Sequence, residues 1–227
     1  MFRAYVALAL LTWTLWGAVS AGAQTTEAAT RARLDTLLTA TSGTPNGQGL
    51  LPTAIGEARA VVDQAVRAER ADDLATIHQA AGEILTALDP SLPRAGTTWY
   101  GIRRAVQAIA VEGAALAGDR AADAQRTAPR VADAVRNVLA WSDALAAVAR
   151  QVREARDVAE ARTLTPGLRR LAQQLLQGRD ADGDGRVTFA AGEPGLQLLQ
   201  VSVRTRAGTP PPRVGPSSPA LSTEVVR

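Results

Sequence analysis

At 227 residues the chain is long enough to bury a sizeable core, and with no cysteine it excludes disulfides, thiolate metal sites and thiol redox chemistry. All 25 basic residues are arginine, and they are interspersed with 22 carboxylates to a net charge of only +3. With no clustered basic face and no aromatic platform, nucleic acid is not a partner the sequence supports. The missing lysine and abundant alanine read as the codon bias of a GC-rich bacterial genome, not as a function.

Residues 1–23 read as an export signal: Arg3, an apolar run from Ala4 to Val19, then Ala21-Gly-Ala23 with cleavage after Ala23. The run is shorter than the ~20 residues of a spanning helix, so no stable membrane insertion is expected after cleavage. An uncleaved amino-terminal anchor is the alternative. The product would be exported, periplasmic or secreted. Residues 24–206 would form one all-α domain, a multi-helix bundle, and residues 207–227, rich in proline, a disordered tail.

Within the domain the hydrophobic spacing is helical nearly throughout. A first helix is expected over 25–40, with Leu34, Leu37 and Leu38 on one face, broken by the turn-rich segment 41–49. A second starts near Thr53, its cap, with Ile55, Ala58, Val62, Ala65 and Val66 inward. Asp72 would cap a third, in which Leu74, Ile77, Ala81, Ile84 and Leu88 follow a bundle seam. Asp89-Pro-Ser-Leu-Pro93 ends it, and Thr97 or Thr98 would cap a fourth that carries Ile102, Val106, Ile109, Gly113 and Leu116 and stops at Gly118.

The longest helix is expected from near Asp123 to Ala161, with Val131, Ala134, Val138, Trp141, Leu145, Val148 and Val152 inward. Pro129 implies either a start at Thr127 or a kink. Three pairs, Arg150 with Glu154, Arg153 with Asp157 and Arg156 with Glu160, have the i, i+4 spacing of surface ion pairs. Pro166 would open a further helix with Leu168, Leu171 and Leu175. Leu196, Leu199 and Val203 mark a short last one.

Between these last two helices, Asp180-Ala-Asp-Gly-Asp-Gly185 sets three carboxylates at alternate positions ahead of a glycine, the way a short loop wraps oxygens around a hard cation. Read as a plain polar turn, it would leave three aspartates repelling one another without compensation. Over about residues 166–204 the helix, D-x-D-x-D-G loop and helix resemble the EF-hand. The resemblance implies a Ca²⁺ ligand set of Asp180, Asp182, Asp184, the Arg186 carbonyl and Thr188. The twelfth loop position, glutamate in that family, is Ala191, and Glu193 would replace it if the last helix starts near Pro194. Three certain carboxylates imply weak binding, ~10⁻⁴ to 10⁻³ M. Because EF-hands work in pairs, a single loop implies either a homodimer or a purely structural ion.

The chain is not expected to be an enzyme. His78 is the sole histidine, so the usual nucleophile and base pairings are missing, and the sequence shows no pair of carboxylates outside the loop set to divide acid and base roles. The rival reading is a metal-free scaffold or interaction module of the cell envelope, meeting an unknown protein partner through its bundle surface or its tail.

Overall fold

The computed structural model describes residues 27–89, 91 and 99–208; the expected export signal, the expected tail apart from residues 207 and 208, and the Thr97 or Thr98 cap lie outside them. Among the described residues there are seven α-helices and no strand: α1 (27–38), α2 (Leu50–Arg70), α3 (Leu74–Leu88), α4 (Ile102–Ala117), α5 (Ala122–Glu154), α6 (Val158–Gln177) and α7 (Leu196–Arg206). The fold is an all-α multi-helix bundle. No helix among the described residues is long and apolar enough to cross a membrane.

Most seam residues expected from spacing are buried, while Leu74, Val148 and Leu171 are half-buried. Leu37, Leu51, Ile77, Ile84, Leu88, Ile102, Ile109, Leu116, Leu145, Leu168, Leu175 and Leu196 are all nearly free of solvent contact. Each such side chain contributes roughly 1.5–3 kcal/mol of burial. α2 and α5 are the long axes, and α3, α4, α6 and α7 each pack against both. Alanines such as Ala54, Ala58, Ala134 and Ala149 line the contacts and let the helices approach closely. α4 and α5 touch where Gly113 faces Val131, whose Cγ1 would lie 2.5 Å from any added Cβ. On α2 the stripe is rotated from expectation: Val61 is fully buried, while Val62 and Val66 are half-buried.

Several helix boundaries correct the expectation from sequence. α2 starts at Leu50 with Gly49 as its cap, because Leu50 and Leu51 belong to the core and Pro52 is tolerated in a first turn. Thr53 lies inside the helix, its hydroxyl donating to the Gly49 carbonyl at 2.9 Å. Asp73, not Asp72, caps α3 by accepting the Thr76 N–H at 2.7 Å, while Asp72 pairs with Arg162 of α6 at 2.5 Å. α5 begins at Ala122 and runs through Pro129, so Thr127 is not its start. The Gln125 carbonyl that loses its donor belongs to an exposed residue.

The expected helix to Ala161 ends at Glu154 instead. Asp157 caps α6 by accepting the Glu160 N–H at 2.8 Å, and the Glu160 carboxylate reaches back past the cap to accept the Arg156 N–H at 2.8 Å. Glu160 is thereby engaged by backbone rather than by the Arg156 side chain. Pro166 falls in the body of α6, and the carbonyl it cannot reach, that of Arg162, accepts the Thr165 hydroxyl at 3.2 Å. Asp157→Ala is expected to lower stability by about 1 kcal/mol, read from urea unfolding.

α4 is started by an acid from another helix. Gly101, at φ 96°, is its cap residue, and the buried Glu57 of α2 accepts the Tyr100 N–H at 2.5 Å and the Gly101 N–H at 3.0 Å. Burial pushes the Glu57 carboxyl above its ordinary range, and the Tyr100 and Gly101 hydrogen bonds offset part of that rise.

Candidate metal site

α6 ends at Gln177, and the next residue closes a ring of chain. Gly178 and Pro194 form an isolated antiparallel bridge, and the Arg179 N–H donates to the Glu193 carbonyl at 2.9 Å. Residues 179–193 are thus a loop with a pinned base. The pinning requires glycine at both ends of the closure: a Cβ on Gly178 would lie 2.3 Å from the Glu193 carbonyl oxygen, and one on Gly195 would lie 2.3 Å from the Gly178 nitrogen.

Inside the loop, Asp180, Asp182 and Glu193 each bring a carboxylate oxygen within 4.8 Å of the others, a group that could hold a metal ion. Glu193 is the one fully buried member. One of its oxygens accepts the Ala181 N–H at 3.2 Å, and the other accepts the Thr188 N–H at 2.7 Å and the Thr188 hydroxyl at 2.8 Å. Asp180 accepts from Gly183 at 2.6 Å and from Gly185 at 2.8 Å, one on each oxygen. Gly183 and Gly185 have φ of 81° and 82°, which lets the chain turn tightly enough to present both N–H groups inward.

The other expected ligands are placed differently. Asp184 lies outside the group of three and accepts the Arg186 N–H at 2.7 Å, a local turn. Arg186 is exposed. Thr188 spends its hydroxyl on Glu193 and accepts the Ala190 N–H at 3.0 Å. Ala191, at the twelfth position, is exposed, and α7 starts only at Leu196, so the loop is long enough for Glu193 to turn in.

Electrostatically the loop favours charged acids. The Thr188 backbone N–H and then its hydroxyl hold the Glu193 carboxyl below its usual 4.5, and the Gly185 N–H followed by that of Gly183 holds Asp180 below its usual 3.8. Because both folded values are depressed, the stability they contribute is present above those unfolded values and is lost as pH falls through the lowered ones.

Two residues of α5 touch this region without any signal in their own sequence neighbourhood. Asn137 donates from its amide to the Pro194 carbonyl at 3.3 Å. Arg130 lies 4.7 Å from the Phe189 ring centroid and donates to the Ser202 hydroxyl at 2.9 Å. Their partners lie more than fifty residues downstream; only the seven-residue spacing of two polar side chains on one helical face hints at a shared neighbour. His78 is half-buried on α3, Trp99 and Tyr100 pack against the core, and Trp141 is buried within it. No protein-family model, curated protein or solved structure matches the chain.

Proposed function

We propose that the protein is an exported calcium-binding helical protein whose EF-hand-like loop holds Ca²⁺ weakly, as a structural ion. The observation that carries this reading is the convergence of Asp180, Asp182 and the buried Glu193, from opposite ends of a pinned loop, within 4.8 Å. Three carboxylate oxygens brought this close favour a hard divalent ion. Carbonyl oxygens, Asp184 and water would complete the shell that Ca²⁺ takes, and the Arg186 carbonyl and Thr188 belong to the proposed set. Magnesium, which demands a tighter octahedron and keeps its waters, fits less well. A staple suits the reading better than a switch, because the loop carboxylates already have their turns formed and the sole methionine is Met1.

Those same hydrogen bonds favour one alternative. A loop that supplies N–H donors to its own acids can persist without an ion, as a turn in a metal-free envelope scaffold. The two readings part in a calorimetric titration combined with thermal melts. At ~10⁻⁴ to 10⁻³ M affinity, 10 mM Ca²⁺ should stabilise the protein by about 1.4–2.7 kcal/mol, and Asp182→Ala should abolish the increment. A wild-type melt that calcium leaves unchanged would defeat the calcium reading. Export is tested separately: protein recovered from the envelope or medium should begin at Gln24 on amino-terminal sequencing.

A further inference from the structure

Arg130 stands where the loop and the last helix meet, and the cation reading makes no use of it. Its guanidinium lies over the Phe189 ring at 4.7 Å while one terminal nitrogen donates to the buried Ser202 of α7 at 2.9 Å. Phe189 follows Thr188, the residue that holds the Glu193 carboxylate. Two turns along the same face of α5, Asn137 holds the Pro194 carbonyl at 3.3 Å, just before α7 begins. One side of α5 therefore grips the far arm of the loop, the entry to α7 and α7 itself.

With eleven residues, α7 is too short to remain helical unaided, so it is either docked on the bundle or unfolded. Such an element has two states that contacts at either end can bias. A guanidinium suits the junction because its face meets the ring while its N–H groups, in the plane, reach a hydroxyl.

We propose that Arg130 is a positioning residue that makes cation uptake by the loop and docking of α7 depend on each other; the inference rests on the calcium reading above. An ion held by Glu193 reinforces the hold of Glu193 on Thr188, so Phe189 stays against Arg130 and Arg130 keeps Ser202 in place. Linkage makes the effect reciprocal, so a loosened α7 weakens the loop's hold on its ion.

The test is hydrogen exchange of the full chain with and without saturating Ca²⁺, beside calorimetric titration, for the wild type, Arg130→Met and Arg130→Lys. In the wild type, Ca²⁺ should slow exchange over residues 196–206 by about 5-fold or more, the lower range of coupling between sites. Arg130→Met should lose that slowing while the Gly183 and Gly185 amides stay protected by the ion, and Arg130→Lys should restore part of it. Phe189→Leu, altered at the other side of the contact, should reproduce the loss should Arg130→Met fail to fold. A wild type that takes up no calcium overturns both the site and the link. Calcium uptake with undiminished slowing in Arg130→Met and Phe189→Leu overturns the link alone.

Discussion

Glu57→Ala is expected to lower the unfolding free energy by about 2–5 kcal/mol, because it strands the N–H groups of Tyr100 and Gly101 at the start of α4, each worth roughly 1–3 kcal/mol when buried without a partner. For a domain of this size that is a fall in Tm of about 5–15 °C, read by calorimetry or circular dichroism. Glu57→Gln keeps an oxygen acceptor and removes the buried charge, so it should cost far less. It should also change the pH dependence in a defined direction. The folded carboxyl titrates above its unfolded 4.5, so the folded state binds the proton more tightly, and this group's contribution to stability declines as pH rises from 4.5 through the raised value. Glu57→Gln should remove that decline. A Glu57→Gln variant as unstable as Glu57→Ala would mean that the charge, and not the hydrogen bonds, holds α4.

Gly178→Ala should be comparably damaging, by about 2–6 kcal/mol, and should also uncouple the loop from any ion. Gly178 has φ 98°, a region costing a side chain about 1–3 kcal/mol, and its new methyl would overlap the Glu193 carbonyl at 2.3 Å and Val187 at 2.6 Å, an overpacking cost of similar size. Relief requires the bridge to Pro194 to open, which moves Glu193 away from Asp180 and Asp182. The calcium-dependent rise in Tm should vanish with it. Gly183→Ala is the control: φ is 81°, but nothing lies within 4 Å of the added carbon, so only the backbone strain of ~1 kcal/mol applies. Equal losses in the two variants would show that the closure at Gly178 is not what shapes the loop.

The contrast between these two glycines marks how far the sequence could be read. Gly183 and Gly185 follow from turn chemistry inside one short segment, whereas Gly178 and Gly195 are required by the approach of two chain segments some fifteen residues apart. Cap residues divide the same way. Asp72 and Asp73 are adjacent acids ahead of the same helix, and the choice between them depends on Arg162, ninety residues away, which takes Asp72. At 155–157 the hydrophobic stripe continues in register across two helices, so periodicity predicted one helix where the Asp157 cap makes two.

Taken alone, the sequence determined the helical class, the buried face of nearly every helix, and the segment in which acidic oxygens accumulate, because these depend on repeats of three and four residues and on the turn habits of aspartate and glycine. The tertiary structure decided which acids meet. Glu193 is drawn in and Asp184 turned aside because the Gly178–Pro194 closure and the Thr188 donors position one and a local turn occupies the other. It also made Glu57 the cap of a helix forty-four residues downstream, since such pairings depend on how helices cross and no local pattern encodes them.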